Sequence, residues 1–551
     1  MRIQTILYAA RAPGKCIGDA VNTSLSHSVT MKTFIRLSIL IAAMLLAYSN
    51  HWRNSFHFDD WHTITQNKNI RQVTPIKFLL DGTTSSTLPT NQNYRPLNTL
   101  LLSLDYKIGR YNVLGYHMQS FAWFVLLVVL IYFLFEPLVG EGAALFGAAL
   151  FGLHPVCAET VNYLCQRGEI VAACGVVAGL ICLRPSPYFV RWYGRLGIAL
   201  VLLASLAKIT ALCFFGIIIA RELILATWTD RRDIKIVGMF TWWTSILCAA
   251  VGGWQLYMTP RTYATGGTNA FQYWLTQPIV ALHYFKQFLL PTELSADTDR
   301  ALVPYLFHEQ FFIGAAFIGV LLWFIWCAWR DGYIVPQRYP SILSHAVSTK
   351  IPAFGIAWFL ICMIPTSLAP LSEVENDHRI FLPMIGLCLS AAWLANRIYE
   401  RWPKQSPWAA LTLIALMIVG THQRNFVWYN EETLWTDCVI KSPHNGRALM
   451  NYGLVLASKG DYNGALRVFA MAEYWVPTYS VLRLNEGSVL TALGRDEEAE
   501  QHFIEAIRLA PRDAQVHWHF SQFLRSHGKI AAADAELKQA RECGADWVDS
   551  L

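Results

Sequence analysis

Eleven apolar segments joined mostly by short loops constrain this chain more than any other feature. They run over about 34–48, 117–139, 142–157, 169–183, 195–207, 210–227, 236–257, 311–329, 352–369, 380–397 and 407–421. In lipid a backbone must satisfy its own hydrogen bonds, so such a series predicts helices rather than an open sheet. Composition points the same way. Of 551 residues, 54% are hydrophobic and 15% charged, against roughly 25% charged in soluble domains. The mean hydropathy is +0.32. A soluble fold does not hide that much apolar surface with so few charges, and intrinsic disorder is excluded with it. The cysteines are scattered, mostly in apolar segments, with neither a disulfide framework nor a CxxC or Cys/His metal spacing. The expected fold class is all-α: a polytopic helical membrane domain followed by a helical repeat array.

Charge sets the expected topology. The first 33 residues carry Arg2, Arg11, Lys15 and Lys32 against Asp19. No small-residue cleavage site follows Phe34 to Tyr48, so that stretch reads as an uncleaved first span behind a cytoplasmic tail, 1–33. Counting onward, RPSPYFVRWYGR, TWTDRRDIK, WRDGYIVPQRYPSILSHAVSTK and NRIYERWPK fall inside, and all four are basic. The polar stretch 50–116 becomes a large external loop, and an odd count places the C-terminal region outside. Several spans are short for a hydrocarbon core of about 30 Å, which predicts broken or re-entrant helices around a cavity. PIVALHYFKQFLL (278–290) reads as re-entrant or interfacial on the external side. The net charge of +6 is small and spread along the chain, so no nucleic-acid partner is expected.

After residue 421 the composition turns charged and soluble. Windows of 34 residues at 446–479, 480–513 and 514–547 align with one another. One position holds Gly453, Gly487 and Ser521, another Gly460, Gly494 and Gly528. Others hold Ala465, Ala499 and Ala533, then Ala472, Ala506 and Ala540, with Pro477 and Pro511 near the window ends. This is the tetratricopeptide (TPR) pattern, and LWTDCVIKSP before it supplies one more helix. The expected domains are a membrane domain over 34–421 and an extracytoplasmic repeat domain over 422–551.

Five clusters concentrate ionisable residues on the external side. FHFDDWHTI places Asp59 and Asp60 just after the first span, held by apolar neighbours at the membrane surface, where burial raises a carboxylate pKa towards that of a useful base. The alternative is a solvated turn or helix cap. NYRPLN carries Arg95, suited either to clamping a phosphate or to snorkelling towards headgroups. LHPVCAETVNYLCQRGE carries His154, Glu159, Arg167 and Glu169, as a site or as mutual pairs that fix helix ends. Lys208 lies between two apolar segments, either external or facing a cavity. SEVENDHRIFLP carries Glu373, Glu375, Asp377, His378 and Arg379, with Arg379 nearest the membrane; most of its acids read as a solvated loop. No Walker loop, Rossmann glycine motif or nucleophile elbow is present. Carboxylates and cations on one face fit a reaction that releases an anionic lipid phosphate.

The order FDD, YRPLN, GYH, HPVCAETVNYLCQRGE, LAKITAL, HYFKQFLLPTELSADT, DHRIFLP and then TPRs resembles the TMTC-type transmembrane and TPR-containing O-mannosyltransferases and their bacterial relatives. The resemblance covers about 34–547. It implies a GT-C glycosyltransferase that uses a polyprenyl-phosphate sugar donor, inverts at the anomeric carbon, and acts on the periplasmic or lumenal face. It makes Asp59 or Asp60 the base that accepts the proton of a Ser or Thr hydroxyl on an exported protein. With this, the clusters read as a donor site in which Arg95, His154, Glu159, Arg167, Lys208, His378 and Arg379 surround the sugar and phosphate. No cofactor is required on this reading, and a divalent cation on Asp59 and Asp60 stays open. The TPR groove is expected to recruit the acceptor. The sequence departs from the family pattern at Cys157, at Ile209 after Lys208, and at His378 before Arg379. The short repeat set suggests a bacterial inner-membrane protein with its site in the periplasm, the endoplasmic reticulum being the eukaryotic counterpart. A GT-C enzyme acting on a lipid or surface glycan, and a non-enzymatic membrane scaffold, are the competing expectations.

Overall fold

A computed structural model describes residues 30–183, 192–225, 231–263, 269–334 and 340–543. Residues 1–29 of the N-terminal tail and parts of three of the basic loops, at 184–191, 226–230 and 335–339, lie outside the described residues, as do 264–268 and 544–551. Among the described residues the chain is helical and contains no strand.

The membrane domain begins with α1 (Met31–Ala47), capped by the Thr30 hydroxyl on Thr33 N at 3.2 Å. A long polar loop follows, holding the short helix α2 (Pro75–Leu80) and α3 (Pro96–Gly109). Then come α4 (Val113–Val139), α5 (Glu141–Gly152), α6 (Cys157–Asn162), α7 (Arg167–Cys182), α8 (Trp192–Ser205), α9 (Cys213–Leu225) and α10 (Arg231–Met258). The last five are α11 (Ala270–Leu289), α12 (Glu309–Ile334), α13 (Pro340–Leu368), α14 (Phe381–Arg401) and α15 (Ser406–Val427). Each of the eleven apolar segments overlaps a helix among the described residues.

The helices are not eleven equal spans. Among the described residues, five stretches are long and apolar enough to cross a bilayer alone: Val113–Val139, Leu164–Cys182, Glu309–Arg330, Thr349–Leu368 and Asp377–Arg401. Helix α5 has 12 residues. At 1.5 Å per residue it is shorter than the hydrocarbon core of about 30 Å. The protein is nonetheless built for lipid. Helix α12 leaves Ile313, Val320, Leu322 and Trp323 exposed, a surface stable only against acyl chains. Segment 278–290 forms the second half of the 20-residue helix α11. That helix lies against the start of α12 (Gly314, Phe317) and the end of α13 (Phe359, Thr366, Leu368).

Close helix crossings are made by small residues. A Cβ on Gly355 of α13 would lie 2.3 Å from the Gly386 carbonyl oxygen of α14, and the reverse distance is the same. Without side chains the two backbones approach, which is how helices gain contact in lipid.

The repeat region opens with α16 (Glu431–Lys441), whose Asn430 and Thr433 form a reciprocal capping box. Three hairpins follow: α17 (Gly446–Ser458) with α18 (Tyr462–Trp475), α19 (Ser480–Ala492) with α20 (Asp496–Leu509), and α21 (Ala514–Ser526) with α22 (Ile530–Glu542). Gly460, Gly494 and Gly528 turn each hairpin at φ of 84°, 70° and 73°, a region L-residues avoid. The recurring alanines are all fully buried where paired helices cross. A Cβ on Gly453 would lie 2.4 Å from the Phe469 ring, which explains the small residue there.

Candidate functional site

The long polar loop between α1 and α4 builds the site. Phe58 holds φ at +48°, a left-handed conformation rare for a side-chain-bearing residue. Its ring is clamped by Tyr163, Trp428 and Trp435, with centroids 5.5, 6.0 and 5.1 Å away. This reversal sends the next two residues in opposite directions.

Asp60 turns inward. It is fully buried, with Oδ1 accepting from Cys165 N at 2.7 Å and Oδ2 from His57 N at 3.2 Å. Burial pushes its carboxyl up to about 7, against the pull of these two amides. Both oxygens are committed to the fold, so the paired-aspartate cation site considered from sequence is not assembled by this geometry. Among the described residues no three His, Cys, Asp or Glu side chains gather as a metal set.

Asp59 turns outward and faces a cavity of about 230 Å³. Its Oδ1 accepts from Asn91 Nδ2 at 2.9 Å and lies 3.1 Å from His62 Nε2. Its backbone N donates to the Tyr163 hydroxyl at 3.2 Å. Burial lowers the His62 pKa, with Asp59 opposing, so a neutral His62 sits beside the carboxylate at neutral pH. Among the described residues Oδ2 has no donor. One oxygen is therefore fixed while the other is open to the cavity.

The cavity lining also carries cations. Arg95 immediately precedes α3 at its N-cap, outside the helical conformation, and its guanidinium has no hydrogen-bond or ion-pair partner among the described residues. Lys208 donates to Gln166 Oε1 at 2.7 Å and lies 2.8 Å from Glu169 Oε2. Arg379 donates to the Glu373 carbonyl at 2.8 Å, and His378 Nδ1 lies 2.9 Å from the buried Glu159 Oε1. Asp59, Arg95, Lys208, His378 and Arg379 all line the cavity, with Glu169 and Glu373 beside them.

Three other expected residues do not reach it. His154 is buried, with Nε2 3.0 Å from the Phe288 carbonyl oxygen and its ring stacked on Phe288. Arg167 is buried in the first turn of α7, donating to Ser120 Oγ at 2.8 Å and the Tyr116 carbonyl at 2.9 Å, and pairing with Asp105. It fastens α7 to α3 and α4. Glu159 acts on the cavity only through His378. Sequence reasoning missed Asn91 and His62. His62 had a signal, because three residues after Asp59 is one helical turn; Asn91 had none.

No family model matches the sequence. Curated proteins do. Protein O-mannosyl-transferase TMTC3 of Mus musculus is 22% identical over 560 residues, covering 94% of this chain. Protein O-mannosyl-transferase Tmtc3 of Drosophila melanogaster is 23% identical, again over 94% of the chain. The chain is thus similar, over most of its length, to TMTC-type protein O-mannosyltransferases. It spans about three-fifths of their length: 59% of the mouse protein and 65% of the fly protein. Human TMTC4 is 21% identical over 82% of this chain. Among solved structures, ArnT from Cupriavidus metallidurans bound to undecaprenyl phosphate aligns over 89% of this chain and 81% of its own, at 14% identity. Its TM-score of 0.35 is too low for the likeness to carry an argument.

Proposed function

We propose that this chain is a membrane glycosyltransferase that moves a sugar from a polyprenyl-phosphate donor to Ser or Thr hydroxyls of exported proteins. One observation carries the reading: a single cavity is lined by the half-free carboxylate of Asp59 and by the cations Arg95, Lys208 and Arg379. The TMTC-type relatives support the same chemistry, and the curated name of the mouse relative is protein O-mannosyl-transferase.

The acceptor hydroxyl enters on the Asp59 side. Its oxygen attacks the sugar C1 while Asp59 Oδ2 takes the proton. The bond from C1 to the phosphate oxygen breaks, its electron pair leaves with the phosphate, and the configuration at C1 inverts. Arg95, whose charge no carboxylate neutralises, faces the phosphate most directly. Lys208 and Arg379 add charge beside it, and His378, held by Glu159, borders the sugar. The cavity opens at the opposite end of α14 from the basic NRIYERWPK stretch, which supports a periplasmic or lumenal site. The hairpins α17 to α22 stand at the site end and offer a surface for the acceptor.

Mass spectrometry of exported proteins tests this. Comparing cells carrying wild type with cells carrying Asp59→Asn at equal level, the mutant is expected to lose a hexose-sized increment on Ser/Thr peptides. Unchanged protein masses with an altered glycolipid would assign a lipid acceptor. If both are unchanged, the site reading fails.

A further inference from the structure

The first repeat hairpin reaches the wall of the cavity. Arg447, in the first turn of α17, spans two carboxylates of the membrane domain. Its Nε donates to Asp297 Oδ2 at 2.6 Å, and its Nη2 donates to Glu373 Oε1. Nearby, Asn445 Nδ2 donates to the Thr298 carbonyl at 2.9 Å, His444 N to Asp299 at 3.1 Å, and Lys441 Nζ to the Leu294 carbonyl at 2.7 Å. The hairpin is thus seated on the 290–308 loop.

Glu373 is held from the cavity side as well. Its carbonyl accepts from Arg379 Nη1 at 2.8 Å, and its Oε2 lies 3.9 Å from Arg379 Nη2. Oε2 also accepts from Asn376 Nδ2 at 2.8 Å. Burial pushes the Glu373 carboxyl up, but the Arg447 and Arg379 guanidiniums outweigh it and hold it below the usual carboxylate range. A carboxylate between two guanidiniums divides its charge between them. The short contact goes to Arg447 and the long one to Arg379. Arg379 is therefore only partly neutralised, although the acid is its immediate neighbour.

We propose that Arg447 is a positioning residue for the phosphate-binding cation: by engaging Glu373 it leaves Arg379 free to take a lipid-linked monophosphate. The inference rests on the phosphate reading of the cavity. Without Arg447, Glu373 is released to close fully on Arg379, and the incoming phosphate must compete with a carboxylate already in place. The hairpin is then part of the donor site as well as a recruiting arm.

The test uses the full chain in detergent, with farnesyl phosphate as the charged probe and farnesol as its neutral control. Arg447→Ala is expected to weaken farnesyl phosphate about tenfold, the loss of one charge-assisted contact, and to leave farnesol unchanged. Removing the competing charge restores the cation, so Arg447→Ala/Glu373→Gln returns to within about threefold of wild type. A role limited to holding the hairpin in place predicts no such rescue. Arg447→Gln, which keeps a donor without the charge, gives the same loss if the alanine variant does not fold. Wild-type affinity in both Arg447 variants, or a double mutant as weak as Arg447→Ala, overturns the inference. Arg379→Ala separates the two failures. If it loses farnesyl phosphate while the Arg447 variants do not, the phosphate site stands and the inference falls. If wild type itself prefers farnesyl phosphate no more than farnesol, both fall.

Discussion

Asp59 and Asp60 are adjacent in sequence and opposite in environment, so their substitutions should separate cleanly. Asp59→Asn removes the open oxygen's basicity and is expected to lower turnover by about 10²–10⁴-fold with the melting temperature unchanged. Asp60→Asn keeps one acceptor and turns an amide N–H₂ against a backbone donor. It is expected to cost about 1–3 kcal/mol of stability while turnover per folded molecule persists. Thermal melting and single-turnover sugar transfer on the same preparations read both. The Asp60 carboxyl also carries a pH signature. Its folded value is about 7, above an ordinary 3.8, so the folded state holds the proton longer than the unfolded state. Its contribution to stability therefore falls as pH rises from about 4 to about 7, a slope that Asp60→Asn should abolish in melts across that window. The pair itself was legible in the sequence, as were Arg95, Lys208, His378 and Arg379. Which aspartate faces the cavity was not, because the answer lies in the left-handed Phe58 and in Tyr163 and Cys165, about a hundred residues away. Arg167 misled for a similar reason: a cation at a membrane edge reads as a site until its buried partners are known.

At the scale of elements, apolar runs marked the long helices of the membrane domain but not α2 and α3 in the polar loop, and glycine spacing marked every repeat hairpin. Lengths were read less well. Helix α11 begins eight residues before its apolar core, because Asn269 caps it upstream and its polar residues face the loops at the site end. Partners were not readable at all: nothing in the sequence pairs Gly355 with Gly386. That crossing yields a prediction. Gly386→Leu places a side chain where the Gly355 backbone and the Trp358 side chain already sit, and the two helices must part. Since α13 and α14 both line the cavity, the variant should lose several degrees of melting temperature and sugar transfer together. Gly253, whose Cβ would meet nothing within 4 Å, provides the control, and Gly253→Ala should change neither.

Across the whole molecule, the seating of the hairpins on the membrane domain is electrostatic and so depends on pH. Glu373 titrates below its ordinary 4.5 in the folded protein. Its contribution is fully present above that value and is lost as pH falls through the lower folded one. Protease nicking of the 441–446 connection is expected to accelerate as pH falls below 4.5, and that acid step should shrink in Glu373→Gln; an acid step of the same size in both would contradict the assignment. The sequence made the repeats visible as an appendage, but their attachment to the site runs through single side chains with no local signature. The polar ladder beneath them has a further consequence. Asn54 donates to Asn162 Oδ1 at 2.6 Å and to the Asn425 carbonyl at 2.9 Å, while His57 Nε2 lies 2.8 Å from the Trp428 carbonyl oxygen. The loop that aims Asp59 is thus finished by residues made some 370 positions later. On the proposed reading, a chain that ends before residue 428 is expected to lack the contacts that seat this loop, so the centre can form only after the segment carrying Asn425 and Trp428 has been made.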